Sequence, residues 1–319
     1  MAFKVLVAYR IPAYLEMLSA FDVEVNSEER FWSKQEVIEK IRDKDAIICL
    51  LNTPVDKEVM DNAPRLKIIS NYAVGYDNID VPEATKRGIM VTNTPEVLTD
   101  AVAEHTMALI LAASRRLVEA HEFTVAGKFH GWKPTLFVGR ELRDKTLGIA
   151  GLGRIGSRVA ELAQAFGMKI IYDDPMRRDA RFERKELLDL LRESDVITLH
   201  CPLSEKTRHL IGGKELALLK DGALIVNTAR GPIVDESALI RELETKRIYA
   251  ALDVFENEQN VNAELLKQPN LVVTPHIASA TREAREEMAL LAAGAVVDFA
   301  GGRIPENLVN KEVLQNLKR

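Results

Sequence analysis

The even pacing of short β-branched runs constrains this chain more than any other feature. In the second half, runs at 146–150, 169–173, 196–200, 223–228, 250–254 and 271–275 begin 21 to 27 residues apart. That interval holds one strand, one helix and two short loops, so successive strands pair in parallel through helical crossovers. The spacing predicts a six-stranded, doubly wound α/β sheet. An earlier series at 4–9, 46–51, 67–72 and 90–94, with a weaker run at 23–25, predicts a second parallel sheet of Rossmann-like kind. Two domains also suit a length of 319 residues.

Punctuation between the strands agrees with this reading. Ser33 and Glu36 form a capping-box pattern opening a helix to Asp43, and Asp80-Val-Pro opens one that stops at Gly88. A long apolar-faced helix over 100–126, containing Met107, Leu109, Ile110 and Leu111, is expected to connect the two series. The loop Gly127-Lys-Phe-His-Gly-Trp-Lys-Pro134 follows, rich in breakers yet carrying Phe129 and Trp132. Aromatics on such a loop need a covering surface, either a second subunit or the same chain. The last helix, 281–300, is stopped by Gly301-Gly302.

Composition excludes several classes of function. Apolar residues make up 47% and charged residues 29%, enough for a substantial core. Lys plus Arg number 43 against 48 Asp plus Glu, a net charge of −5, and no basic block offers a nucleic-acid footprint. Cys49 and Cys201 match neither a disulfide framework nor a zinc spacing, so no metal is expected and a reducing cytoplasm fits. The N-terminal apolar run is interrupted at Lys4 and Arg10, and no uninterrupted stretch reaches the ~18 residues of a membrane span, so neither export nor a membrane partner is expected.

Gly151-Leu-Gly-Arg-Ile-Gly156 follows directly on Leu147-Gly-Ile-Ala150 and opens a helical segment ending at Gly167. Glycines at this spacing serve a tight turn, close approach of backbone to a pyrophosphate, and helix-to-sheet packing, while the helix N-terminus offers free amides. A packing role alone would leave Asp174 unexplained. It stands 18 residues past Gly156, at the end of the next strand, where an acid accepts hydrogen bonds from the adenosine ribose. Its charge would repel the 2′-phosphate of NADP, so NAD (NADH) is the expected cofactor and NADP the less favoured one. Asp173 is the alternative ribose ligand, and Arg177 with Arg178 form either a phosphate partner or a solvated face.

Arg230, Glu258 and His276 stand at or beyond the carboxyl ends of strands, where open α/β sheets bind ligands. A guanidinium at Arg230 can clamp a carboxylate through two hydrogen bonds. His276, after Leu271-Val-Val-Thr-Pro275, is the histidine best placed for chemistry. His105, within a helix, and His121, His130, His200 and His209 read as structural or surface residues. A carboxylate touching His276 would stabilise its imidazolium; Glu258 is the first candidate and Glu256 the alternative.

These residues resemble the D-isomer-specific 2-hydroxyacid dehydrogenases over essentially the whole chain. The motifs are Asn71-Tyr-Ala-Val-Gly-Tyr-Asp-Asn-Ile-Asp80, Gly151-Leu-Gly-Arg-Ile-Gly156, Asn227-Thr-Ala-Arg-Gly231, Leu252-Asp-Val-Phe-Glu-Asn-Glu258 and Thr274-Pro-His-Ile-Ala-Ser-Ala280. Gly131-Trp-Lys-Pro-Thr-Leu-Phe137 and Pro305-Glu-Asn-Leu-Val-Asn310 are most similar to the glyoxylate and hydroxypyruvate reductases of that family. Two positions depart from the family pattern. Gln259 replaces a proline and Ala278 a glycine.

The resemblance implies a discontinuous substrate-binding domain, 1–98 plus 283–319, and an NAD-binding domain, 99–282, whose segment 100–143 pairs two subunits into a homodimer. It also implies a catalytic group of Arg230, Glu258 and His276, with His276 as acid/base and Glu258 orienting it. Substrate contacts are expected from Leu51, Val74, Gly75, Arg230, Ser279 and Trp132. Cofactor contacts are expected from Thr99, Gly151, Gly153, Arg154, Ile155, Gly156, Asp174, Pro202, Thr207, Thr228, Ala229, Arg230, Asp253, His276 and Ala278. The expected reaction is NADH-dependent reduction of a small 2-oxo acid, glyoxylate or hydroxypyruvate. Some relatives carry Ser-Arg where this chain has Asp174-Pro175, and those favour NADP. Ending at Arg319, the chain is expected to lack the regulatory extension of many phosphoglycerate dehydrogenases. Rival readings are a dehydrogenase of 3-phosphoglycerate type or of another 2-hydroxy acid, with Leu51 and Asn52 near the deciding pocket, and an NAD(H)-sensing interaction protein.

Overall fold

A computed structural model describes residues 2–12 and 15–316. In chain order the elements are β1 (Lys4–Val7), β2 (Asp22–Val25), α1 (Lys34–Ile41), β3 (Ala46–Cys49), α2 (Lys57–Asp61), β4 (Ile68–Asn71), α3 (Val81–Lys86), β5 (Met90–Thr92), α4 (Thr99–Ser114), α5 (Leu117–Val125), β6 (Thr146–Ala150) and α6 (Arg154–Ala165). There follow β7 (Lys169–Asp173), β8 (Glu183–Arg184), α7 (Leu187–Glu193), β9 (Val196–Leu199), α8 (Gly213–Leu216), β10 (Leu224–Asn227), α9 (Glu236–Glu244), β11 (Tyr249–Leu252), α10 (Ala263–Leu266), β12 (Leu271–Val273), α11 (Arg282–Ala300) and α12 (Val313–Asn316). The chain forms two compact units, 1–98 with 281–319, and 99–280. No helix among the described residues is long and apolar enough to cross a membrane.

In the first unit five parallel strands run in the order β2-β1-β3-β4-β5. Their central members are apolar on both faces, because helices cover both. Leu6, Ile47, Ile69 and Val91 pack with Val37, Ile41 and Val59 on one face. Toward α11, the Ser70 hydroxyl donates to the Ala292 carbonyl at 2.9 Å. Asn310 ties the C-terminal segment to β5, accepting from Val91 N at 2.8 Å and donating to Ile89 O at 2.9 Å. These buried bonds place a distant stretch of chain in this unit. The Ser33–Glu36 capping box and the Asp80 cap are both present, starting α1 and α3 where the sequence placed them.

The second unit carries seven parallel strands, in the order β12-β11-β10-β9-β6-β7-β8. The six expected strands are there, and β8 adds a seventh at the edge. Two charged residues, Glu183 and Arg184, have no readable periodicity, and β8 exists only by pairing with Ile171 and Tyr172. A second correction concerns the helix expected over 100–126. It is two helices, α4 and α5, separated at Arg116, whose backbone is left-handed with φ 55°. The Ser114 carbonyl accepts from Arg140 N at 2.8 Å, so the chain returning through Gly139 takes the acceptor that a continuous helix would need. Helix α4 buries Ala103, Met107, Leu109 and Ile110 against Leu147, Ile149 and Val159, which places it on one face of the sheet.

Candidate active site

The three glycines of the turn after β6 have three separate physical reasons. Gly151 has φ 97°, and a Cβ there would meet the Cys201 amide at 2.7 Å. At Gly156 a Cβ would stand 2.2 Å from the Gly151 carbonyl oxygen, so the first turn of α6 can sit on the strand exit only without a side chain. At Gly153 a Cβ would meet nothing within 4 Å. Its lack of a side chain leaves open space directly before α6, whose N-terminus has no side-chain cap. An open backbone cradle at an uncapped helix start suits a pyrophosphate, so the residues present fit NAD.

Asp174 lies against the same turn. One carboxylate oxygen accepts from Leu152 N at 2.8 Å, and the other from Met176 N and Arg177 N at 2.8 and 2.9 Å. Asp173, the alternative ribose ligand, sits instead near Arg184 at 4.0 Å, and its carboxyl is pushed upward by burial and then by Glu186. Adjacent strand residues point to opposite faces, and here the glycine turn is on the Asp174 side. The Arg178 guanidinium donates to the carbonyls of Asp174 and Arg177. On the neighbouring loop, the Thr207 hydroxyl donates to Pro202 O at 2.6 Å, closing the turn after β9.

Beyond β10, Asn227 builds the turn that presents Arg230. Its Oδ1 accepts from Ala229 N at 3.0 Å and its Nδ2 donates to Arg230 O at 2.8 Å. Gly231 then passes so close to the exit of β11 that a Cβ would lie 1.9 Å from the Phe255 carbonyl carbon. The turn carrying Arg230 is thereby packed, backbone on backbone, against the segment leading to Glu258.

Glu258 and His276 meet. Nδ1 of His276 lies 2.8 Å from Glu258 Oε1 and 2.9 Å from Oε2. Glu256, the alternative partner, instead holds His209 Nε2 at 2.7 Å and the Glu236 amide at 3.2 Å. His276 has φ 54°, an uncommon conformation for a residue with a side chain. The loop is held in it by Asp253, which takes three successive amides: His276 N on its carbonyl, Ile277 N on Oδ1 and Ala278 N on Oδ2, all at 2.8 to 2.9 Å. Asp253 is fully buried. Burial would push its carboxyl up, but hydrogen bonds from His105, Thr274 and the two amides outweigh that and lower it, so the carboxylate is ionised.

In the first unit, Asn71 Nδ2 donates to Gly75 O at 2.7 Å, Asn93 Nδ2 to Val74 O at 2.8 Å, and Thr94 N to Ala73 O at 2.9 Å. With these carbonyls engaged, the amides of Val74 and Gly75 have no acceptor among the described residues. Asn78 Nδ2 donates to both Leu50 O and Thr53 O at 3.0 Å, shaping the turn that holds Leu51.

Other features fall away from this chemistry. A cavity of about 300 Å³, lined by residues including Arg116, Arg140, Asp195 and Tyr249, lies at the amino ends of β9, β10 and β11, the opposite end of the sheet. It contains none of the expected site residues. Burial pushes the Cys201 thiol up to about 11, leaving it protonated and a poor nucleophile. Trp132 is 83% exposed and so does not pack on its own chain. Sequence reasoning did not assign His105, Thr106 or Thr274, which in the second unit stand against the loops of His276 and Arg230; the signal for the helical pair was polar residues beside Met107, Leu109 and Ile110 on a buried helix.

Comparison with known proteins identifies the family. Residues 107–278 match the family model described as D-isomer specific 2-hydroxyacid dehydrogenase, NAD binding domain. A glyoxylate reductase of Thermococcus litoralis is 50% identical, covering 98% of each chain. One from Aeropyrum pernix is 51% identical, covering 95% of this chain and 94% of its own. The crystal structure of a glyoxylate reductase from Paecilomyes thermophila superposes with a TM-score of 0.87 at 33% identity, covering 98% of this chain and 99% of that one. With a glycine turn built for a dinucleotide and relatives this similar over nearly their whole length, the chain belongs to the D-isomer-specific 2-hydroxyacid dehydrogenase family.

Proposed function

We propose that this protein reduces glyoxylate or hydroxypyruvate to the corresponding 2-hydroxy acid with NADH, using His276 as the acid. The observation that carries the reading is the contact of His276 Nδ1 with both carboxylate oxygens of Glu258. A carboxylate on Nδ1 fixes the orientation of the ring, leaving Nε2 as the nitrogen that exchanges a proton with substrate. When bound, NADH supplies the hydride. The chain's own part is to hold and protonate. The amides at the start of α6 and the open backbone at Gly153 hold the pyrophosphate, and Asp174 accepts from the ribose hydroxyls. Arg230 binds the substrate carboxylate and keto oxygen, and His276 Nε2 delivers a proton to that oxygen as it gains charge. In the first unit, the amides of Val74 and Gly75 and the side chain of Leu51 are the proposed substrate contacts.

The test is consumption of NADH with glyoxylate, hydroxypyruvate, pyruvate and 3-phosphohydroxypyruvate in parallel. Turnover of the first two above the others is expected; preference for the phosphorylated acid would replace the substrate assignment. His276→Ala should lower kcat by about 10²- to 10⁴-fold, the usual worth of a positioned acid. Arg230→Lys should also be damaging, because an ammonium cannot form the two-point clamp.

A homodimer belongs to the same proposal. Helix α5 buries no residue, yet carries Leu117, Val118, Phe123 and Val125, and Phe129, Trp132 and Val138 on the following loop are exposed. A second copy of the chain would cover this apolar surface, with Trp132 reaching toward the neighbour's substrate. Light scattering on the purified protein should give twice the chain mass, and a monomer would remove both assignments.

A further inference from the structure

Two consecutive side chains of α4, His105 and Thr106, each grip a different loop of the site. His105 Nε2 lies 3.0 Å from the Thr274 hydroxyl and 3.4 Å from Asp253 Oδ1. The direction of these bonds follows from counting protons. Thr274 spends its one proton on Asp253 Oδ1, at 2.6 Å, so its oxygen must accept from the imidazole. Nε2 therefore carries a hydrogen, and a donor chain runs from His105 through Thr274 to Asp253. That same carboxylate receives the amides of Ile277 and Ala278 and keeps His276 in its left-handed conformation.

Thr106 makes the companion contact. Its hydroxyl donates to Val102 O at 2.8 Å, so at 3.0 Å it accepts from the hydroxyl of Thr228, two residues before Arg230. Thr106 is fully buried and Thr228 nearly so, leaving water no room to replace this bond. One rigid helix thus fixes the loop of the acid and the loop of the guanidinium from adjacent positions. Helical neighbours point about 100° apart, so the pair can address two loops at once.

We propose that His105 and Thr106 are positioning residues, a two-point brace that sets the loops of His276 and Arg230 relative to each other. Neither touches substrate in this account; both act through a loop. The inference rests on the reading of His276 as the acid and Arg230 as the clamp, and the test separates the two.

Four variants are compared by kcat, substrate KM, NADH affinity, melting temperature and the isotope effect from NADH deuterated at C4. His105→Phe keeps the ring shape without a donor and should lower kcat about tenfold, enlarge the isotope effect as the chemical step becomes limiting, and leave NADH affinity unchanged. This is less than the ~10²-fold that a 1 Å misplacement can cost. His105→Gln places an amide donor where Nε2 stood and should restore kcat to within about twofold of wild type. Thr106→Val should raise substrate KM about tenfold while changing kcat less. His276→Ala is the control. Wild-type kcat and isotope effect in His105→Phe would overturn the brace, as would equal loss in His105→Phe and His105→Gln tracking a fall in melting temperature. If His276→Ala is itself active, the reading of the acid fails instead.

Discussion

The closest backbone approach in the site, Gly231 against the exit of β11, gives a perturbation whose size can be worked out. In Gly231→Ala the new methyl would lie 1.9 Å from the Phe255 carbonyl carbon, 2.0 Å from its oxygen and 2.4 Å from Glu256 N. These are backbone atoms and cannot swing aside. The two segments must part by about 1.1 Å to reach the 3.0 Å limit and by about 1.5 Å for ordinary contact at 3.4 Å. That opening separates the Arg230 turn from the segment carrying Glu258. Misplacement by about 1 Å costs roughly 10²-fold in rate, or about 2.7 kcal/mol in the barrier, and overpacking costs about 1–3 kcal/mol of stability. The assay is kcat/KM for glyoxylate with NADH, alongside thermal unfolding and NADH titration. Gly294→Ala is the control, since its methyl meets nothing within 4 Å, and helix propensity should make it neutral or slightly stabilising. A folded Gly231→Ala protein with kcat/KM within about twofold of wild type would refute the argument that this contact sets the geometry of the site.

Gly153→Ala should fold with an unchanged melting temperature, because its methyl enters open space, yet bind NADH about tenfold or more weakly; calorimetric titration decides. Asp174→Ser should shift the ratio of kcat/KM for NADPH over NADH upward by about tenfold, and an unchanged ratio would detach cofactor choice from that carboxylate. Burial pushes His200 down to about 3. It is neutral in the fold, whereas an unfolded imidazole protonates near ~6.5. The unfolded chain therefore binds more protons between those values, and this histidine makes stability fall as pH falls through that window, by no more than about 1.4 kcal/mol per pH unit. Chemical denaturation of His200→Asn across the window should show a flatter pH dependence than wild type.

Much of this architecture was legible because parallel strands buried on both faces write continuous apolar runs, and crossover helices force the interval between them. Ser33, Asp80 and the glycines of the turn were legible for a similar reason: a cap or a forbidden Cβ is a local demand that one residue type meets. The break between α4 and α5 was not legible. It depends on Arg140, far along the chain, reaching Ser114, and nothing near Arg116 announces it. Strand β8 was hidden because its two residues acquire strand geometry only from Ile171 and Tyr172. At the site, strand ends pointed to Arg230, Glu258 and His276, with Glu258 already preferred over Glu256; the fold adds that Glu256 is turned to His209 instead. His105 read as a bland helical residue because its partners, Thr274 and Asp253, come from distant strands.

The most direct measurement follows the label. The purified protein is given hydroxypyruvate with NADH carrying deuterium at both C4 positions, and the glycerate formed is resolved by chirality and examined by mass and NMR. D-glycerate with the deuterium at C2 is the expected product. Unlabelled glycerate, or the L enantiomer, would contradict the account.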